Sequence, residues 1–196
     1  MIKFLFDRIM AALGILFLLP LLFAISIWVM LDSKGGAFFV QTRVGKNGRH
    51  FGLLKFRTMR PLSEAGGKLT VGSSDPRITN AGHFLRKYKL DELPQLLNVL
   101  IADMSFVGPR PEVPEYVAYY TTEQRKVLSV RPGITDEASL AYFSENDILS
   151  NSPHPEKTYL EIVMPAKIEL NLAYLRKRSF LKDLGVIAKT LKRIIS

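Results

Sequence analysis

Asp91 and Glu92 are adjacent carboxylates in a basic neighbourhood, with Arg86, Lys87 and Lys89 before them and Pro94 after. Two kinds of chemistry fit that spacing. In one, Asp91 caps a helix and Glu92 complements the positive end of its dipole. In the other, the same helix start and its cations keep a carboxylate ionised and hold a phosphate beside it. An ionised aspartate next to a bound phosphate is a nucleophile of the aspartyl-phosphate kind. Arg110 is the second candidate, because Gly108, Pro109 and Pro111 restrict its backbone and reduce the entropy lost when it grips a phosphate. A structural ion pair is its plainer reading. Lys55, Arg57, Arg86 and Arg131 are further cations suited to phosphate or nucleotide, and Asp103 suits either a helix cap or a metal.

Other chemistries are excluded by missing patterns. The 196 residues contain no cysteine, so disulfides and thiolate metal sites are out. No G-x-x-x-x-G-K-[ST], H-E-x-x-H or G-x-S-x-G string occurs. His50, His83 and His154 are far apart, which argues against zinc. No Asp-x-Asp pair is present, against an ordinary metal-dependent glycosyltransferase. The net charge of +9 is concentrated: residues 34–89 hold twelve Lys/Arg against two acids, Glu64 and Asp75. Such a block suits an anionic partner, whether phospholipid, phosphorylated substrate or nucleic acid, or else a solvated basic face. Few aromatics interleave it, so single-strand stacking is not favoured.

The elements that would position these residues begin with an apolar segment. Residues 9–31 form a run of 23 without a charge, roughly 34 Å as a helix. It is too long, and lacks the cleavage site, for a signal peptide. Pro20 lies at its centre and predicts a kink. Lys3 and Arg8 flank one end, and Lys34, Arg43, Lys46 and Arg49 the other, so the positive-inside rule places both ends in the cytoplasm. A simple span and a hairpin that dips into one leaflet and returns both remain open on these residues, since prolines also occur in ordinary spans.

Beyond it, residues 37–41 and 51–56 read as strands around a Gly45-Lys46-Asn47-Gly48 turn. Residues 61–76 read as a loop. Thr79 caps a helix to about Tyr88, and a second helix starts near Asp91 with Leu93, Leu96, Leu97 and Leu100 on one face. Further helices are expected over 113–130 and over 156–178, the latter interrupted at Pro165, with a turn at Arg131-Pro132-Gly133 and a loop over 150–155. In residues 180–195, Phe180, Leu181, Leu184, Ile187, Ala188, Leu191, Ile194 and Ile195 share one helical face. Lys182, Lys189, Lys192 and Arg193 share the other, as in a helix lying at a membrane surface or packed on a core with a solvated basic side.

Four strings then carry a family resemblance: Lys55-Phe56-Arg57-Thr58-Met59, Leu90-Asp91-Glu92-Leu93-Pro94-Gln95, Asp103-Met104-Ser105-Phe106-Val107-Gly108-Pro109-Arg110-Pro111 and Arg131-Pro132-Gly133-Ile134-Thr135. In this order, behind a hydrophobic segment with a central proline, they resemble the bacterial sugar transferases, the small monotopic phosphoglycosyl transferases that start glycan assembly on polyprenyl phosphate. The resemblance covers most of residues 1–135. It implies a helix-rich α+β protein. Residues 1–33 would be a re-entrant, non-spanning membrane helix kinked at Pro20. Residues 34–196 would be a small cytosolic catalytic domain with short strands and helices along the membrane, the last about 180–196.

The resemblance further implies that Asp91 is the nucleophile and Glu92 its partner. Asp91 would sit near Mg²⁺, and Arg110 would lie in the phosphate-binding motif, with Arg131, Lys55, Arg57 and Arg86 as supporting cations. The expected partners are a UDP-sugar, polyprenyl (undecaprenyl) phosphate and inner-leaflet phospholipid, without nucleic acid and with a homodimer left open. The expected location is the cytoplasmic face of a bacterial inner membrane. After Thr135 the pattern departs. Where the family continues with Gly and then Gln, this chain has Asp136-Glu137-Ala138-Ser139-Leu140 and an acidic run to Asp147. Donor-sugar contacts there cannot be carried over. The rival readings are a membrane-bound glycosyltransferase that releases UDP, and a basic membrane-tethered binding module without activity.

Overall fold

The computed structural model describes residues 2–60 and 75–195. The expected loop at 61–76 therefore lies, except for its last two residues, outside the described residues. The architecture is helix-rich α+β, as the sequence implies. Helix α1 (Ile2–Asp32) leads to a hairpin, β1 (Phe38–Val44) and β2 (His50–Phe56), paired antiparallel from Phe38↔Phe56 to Val44↔His50. Asn47 and Gly48 both have positive φ in the connection, as the Asn-Gly signal requires. Helix α2 (Asn80–Lys87) is capped by Thr79, whose side chain accepts from the Gly82 N–H. A short 3₁₀ turn, Leu90–Glu92, precedes α3 (Gln95–Leu100). Strands β3 (Ser105–Val107) and β4 (Gly133–Thr135) then pair in parallel. Between them lie α4 (Pro114–Val117) and a 3₁₀ segment, Gln124–Ser129. Helices α5 (Glu137–Ala141), α6 (Glu145–Ser150), α7 (Pro155–Thr158), α8 (Met164–Arg176) and α9 (Phe180–Ile195) complete the chain.

Several expectations are corrected. The helix over 113–130 is two pieces. Thr121 and Gln124 form a reciprocal capping box, Gln124 Oε1 accepting from Thr121 N at 2.9 Å and Thr121 Oγ1 from Gln124 N at 3.2 Å, so a new helical start is imposed mid-segment. Gly133 opens a strand rather than closing a turn, because a Cβ there would stand 2.2 Å from Gly108 N, and only glycine allows β3 and β4 this close. Pro165 does not break its helix. A π-helical stretch, Tyr159–Val163, precedes it and places the proline in the first turn of α8, where its missing donor is harmless. The loop expected at 150–155 is shorter, since α6 runs to Ser150 and α7 begins at Pro155.

Helix α1 is tied to the rest of the protein at both ends. Near its start Lys3 Nζ lies 2.7 Å from Asp183 of α9, and Ser105 Oγ of β3 donates to Asp7 Oδ2 at 2.6 Å. Ala11 joins Leu53, Val99 and Met104 in one small core. Ile25 and Val29 join Phe56, Ala81 and Leu85 in another. At its end, Asp32 Oδ2 accepts from Ala81 N at 3.0 Å. Arg57 donates to the carbonyls of Val29, Ser33 and Lys34 at 3.3, 2.7 and 2.7 Å, collecting the acceptors that a helix C-terminus leaves open. Between these anchors the side chains around Pro20 face outward: Leu16 is 70 % exposed, Phe17 85 % and Phe23 68 %. Pro20 lacks the N–H that would bond the Leu16 carbonyl, and Ser26 Oγ donates back to the Leu22 carbonyl at 2.7 Å.

The single apolar face expected for α9 divides in two. One edge, with Asp183, Val186, Ile187, Thr190 and Ile194, is turned into the protein. The other leaves Leu181, Leu184 and Leu191 exposed beside Lys189, Lys192 and Arg193.

Candidate functional site

The carboxylate pair sits on the 3₁₀ turn between α2 and α3. Lys89, at φ 56, ends α2 in the left-handed region and reverses the chain, so Leu90–Glu92 begins immediately. A lysine at positive φ is uncommon and costs about 1 kcal/mol or more, a strain placed directly beside the dyad. The turn sits against the end of β2, which supplies Lys55, and against the segment after β3, which supplies Arg110. Asp91 is not a helix cap. The α3 helix begins four residues later with Pro94 at its N-cap, and no side chain caps it or the turn.

The two carboxylates differ in environment. Glu92 is clamped. Lys55 Nζ donates to Oε1 at 3.2 Å, Arg110 Nη1 donates to Oε2 at 3.1 Å, and Arg110 Nη2 donates to Oε1. Burial alone would raise the Glu92 pKa, but Arg110 and Lys55 together outweigh it and hold the group well below the ordinary glutamate value. Asp91 is buried, 7 % exposed, and makes no hydrogen bond to another described side chain or backbone group. Burial first, then the charge on Glu92, push its pKa up, against the pull of Lys55, Arg86 and Lys89. Glu92 is thus favoured as an anion by its two cations, and the Asp91 carboxylate has no partner among the described residues.

Arg110 is itself fixed. Its backbone N–H donates to Asp136 Oδ2 at 2.9 Å, and Asp136 Oδ1 caps α5 by accepting from Ser139 N at 2.5 Å. Asp136 is 1 % exposed and was not among the residues singled out from sequence; it stands where the chain departs from the family pattern. Its N-cap signal, an Asp ahead of Glu-Ala-Ser, was legible, whereas the bond to Arg110 across 26 residues was not. Glu112 is another unforeseen member. It pairs with Arg43 at 3.1 Å and accepts from the Tyr159 hydroxyl, whose pKa burial and Glu112 push up.

The remaining sequence candidates separate. Arg86 donates to Thr58 Oγ1 at 2.9 Å and acts electrostatically on Asp91. Arg57 is committed to the end of α1. Arg131 donates to the Ala102 carbonyl at 2.8 Å and lies 4.7 Å over the Phe4 ring, so the structure does not bring it to the dyad. Asp103 is partly buried and lies in the turn after α3. Among the described residues, no group of three His, Cys, Asp or Glu gathers as a metal cage. Asp91 is a single carboxylate without a partner among the described residues, a donor of the type that suits a hard cation.

A cavity of about 620 Å³ adjoins the dyad turn. Lys89, Glu92 and Arg110 line it, Asp91 does not, and its far wall comes from α5, α8 and α9. A volume of this size is typical for a small-molecule site.

An unequal carboxylate pair, Asp91 buried and Glu92 half-buried between Lys55 and Arg110, next to a long exposed apolar helix, defines a membrane-associated α+β protein. The family model described as bacterial sugar transferase matches residues 1–196, and the chain belongs to that family. It is 36 % identical over 201 residues to a UDP-glucose:undecaprenyl-phosphate glucose-1-phosphate transferase of Xanthomonas campestris pv. campestris, covering 98 % of this chain and 38 % of that protein. It is 34 % identical over 193 residues to a UDP-N-acetylgalactosamine-undecaprenyl-phosphate N-acetylgalactosaminephosphotransferase of Aeromonas hydrophila, covering 97 % and 43 %. With a UDP-glucose:undecaprenyl-phosphate glucose-1-phosphate transferase of Escherichia coli it shares 33 % over 192 residues, covering 94 % and 38 %. The chain thus spans about two fifths of the length of these relatives.

Proposed function

We propose that the protein transfers a sugar-1-phosphate from a UDP-sugar to polyprenyl phosphate at the cytoplasmic face of a bacterial inner membrane, through a phosphosugar held covalently on Asp91. The observation that carries this reading is the asymmetry of the pair: Glu92 is locked between Lys55 and Arg110 while the Asp91 carboxylate has no protein partner among the described residues.

In the first step an Asp91 oxygen attacks the β-phosphorus, the bond from that phosphorus to the bridging oxygen breaks, and UMP leaves with the electron pair. In the second, an oxygen of the polyprenyl phosphate attacks the same phosphorus and the Asp91–phosphorus bond breaks, giving polyprenyl-diphospho-sugar and a free carboxylate. Two steps keep the anionic donor and anionic acceptor from meeting directly, so one cationic site serves both in turn. A carboxylate whose pKa is raised is also the more basic, hence more nucleophilic, of the two. Lys55, Lys89, Arg86 and Arg110 surround the place where charge develops. Glu92 positions Arg110 and Lys55. Asp91 and the donor phosphates would hold Mg²⁺, which supplies charge neutralisation of the diphosphate.

The same reading makes α1 re-entrant. A helix of 31 residues is about 46 Å long, more than the ~30 Å of hydrocarbon. Supporting the re-entrant arrangement, its first turns bond to Asp183 and Ser105 and its last to Ala81 and Arg57, all on one domain. The exposed apolar tip around Pro20 would enter the bilayer, and the exposed Leu181, Leu184 and Leu191 of α9, with their neighbouring lysines, would lie at its surface.

The test is UMP release from UDP-sugars by the full chain without acceptor, with labelled sugar phosphate trapped on the protein. Near-normal turnover by Asp91→Asn would refute the covalent scheme. Release of UDP would instead favour a conventional glycosyltransferase, and salt-sensitive binding indifferent to Asp91 a non-enzymatic module.

A further inference from the structure

The wall of the cavity beside the dyad holds polar atoms that the described residues do not satisfy. Ser139 Oγ on α5 and Asn171 Oδ1 on α8 both belong to residues lining it, and both are buried without a hydrogen-bond partner. Asn171 is only 6 % exposed. An orphaned buried acceptor or hydroxyl costs on the order of 1–3 kcal/mol, and two of them in the wall of one cavity suit an occupant with polar groups that bond to both. The occupant is amphipathic, because Phe106, Leu140 and Ile187 line the same space. A polyprenyl tail would leave the two polar atoms unmet. A pyranose meets them with its hydroxyls and lays its C–H face on the apolar side.

Position selects the sugar over the nucleobase. Lys89, Glu92 and Arg110 border the cavity, so it begins at the turn that carries Asp91. The sugar is bonded to the phosphorus that Asp91 attacks, whereas the base is separated from it by the ribose and a second phosphate. The sugar also remains on the protein after UMP leaves, and a pocket next to the dyad retains it through both steps.

We infer that Ser139 and Asn171 form the donor-sugar subsite and set which hexose is accepted. This inference rests on the proposed transfer reaction. It gives a function to the segment after Thr135 that departs from the family pattern, since Ser139 lies in it and Asp136, one turn earlier, fixes both α5 and Arg110.

The experiment measures UMP release by the full chain in detergent with polyprenyl phosphate, across UDP-glucose, UDP-galactose and their N-acetylhexosamine counterparts. Wild type is compared with Ser139→Ala and Asn171→Ala. Neither substitution removes a bond the free protein makes, so both variants should keep the wild-type melting temperature, which is measured alongside. The expected result is a change of at least tenfold in the ratio of kcat/KM between the best and second donor, as for a site built to bond a substrate hydroxyl. Inhibition by UMP should be unchanged. Equal scaling of all donors, or no effect, overturns the inference while leaving the transfer reaction standing. Weakened UMP inhibition in proportion assigns the cavity to the nucleotide and also overturns it. If wild type releases UMP from no donor, the reaction itself is wrong and the subsite falls with it.

Discussion

Arg110 grips both oxygens of the Glu92 carboxylate while its own backbone N–H is held by Asp136. A bidentate arginine leaves little of the Glu92 charge for other work. The neighbouring carboxylate, Asp91, is the one left available. That asymmetry is what the proposed division of roles rests on.

Replacing Asp91 should separate stability from activity. Its pKa is raised in the folded state, so its ionisation works against folding at any pH above the unfolded value of about 3.9. Asp91→Asn removes that opposing charge. The melting temperature at neutral pH should rise, by roughly 2–4 °C for each kcal/mol relieved in a chain of this size, while UMP release disappears. A lower melting temperature would show that the Asp91 charge stabilises the fold.

Glu92 should behave in the opposite way. Its folded pKa lies below the unfolded value of about 4.3, so it stabilises the protein above that pH, and the contribution is lost as pH falls toward the folded value. Glu92→Gln leaves Lys55 and Arg110 without their shared counter-charge in a half-buried site and should cost about 1–3 kcal/mol. Urea or thermal unfolding between pH 7 and pH 3 checks this. The variant should show a shallower loss of stability on acidification, and parallel curves for the two proteins would contradict the assignment.

Asp136→Ala should damage both a helix and the site. It removes the N-cap of α5, a loss of about 1 kcal/mol, and frees the Arg110 backbone. A fall in kcat larger than that seen for Thr79→Ala, which removes a comparable cap remote from Arg110, is the expected readout. Equal effects would reduce Asp136 to a cap.

The topology of α1 can be read with thiols. Because the chain has no cysteine, Ile2→Cys and Gly36→Cys each introduce a single one. Both positions are exposed, a Cβ at Gly36 meets nothing, and Gly36 lacks the positive φ of Gly35 beside it. An impermeant maleimide added to intact cells should label neither, and should label both once the inner membrane is opened. Labelling of one alone in intact cells would establish a span.

Much of the local structure was readable because it depends on short-range chemistry. Thr79 caps α2, Asn47-Gly48 turns the hairpin, and Thr121 with Gln124 marks a helix start that the periodicity over 113–130 concealed. The carboxylates and Arg110 were visible as residue types in basic surroundings. What each would do was not visible, because Arg57 and Arg131 carry the same charge and are bonded elsewhere.

The amino-acid order alone determined the long uncharged segment with its central proline, the basic block, the capping signals and the family. Those follow from composition and from neighbours a few positions apart. Only the tertiary structure decided that Lys55 and Arg110 converge on Glu92 and leave Asp91 without a partner among the described residues, that α1 bonds to Asp183 near its start and to Ala81 at its end, and that Ser139 and Asn171 line one cavity. The physical reason is that burial and ion pairing depend on contacts between segments as far apart as Asp7 and Ser105, and those contacts exist only once the chain has packed.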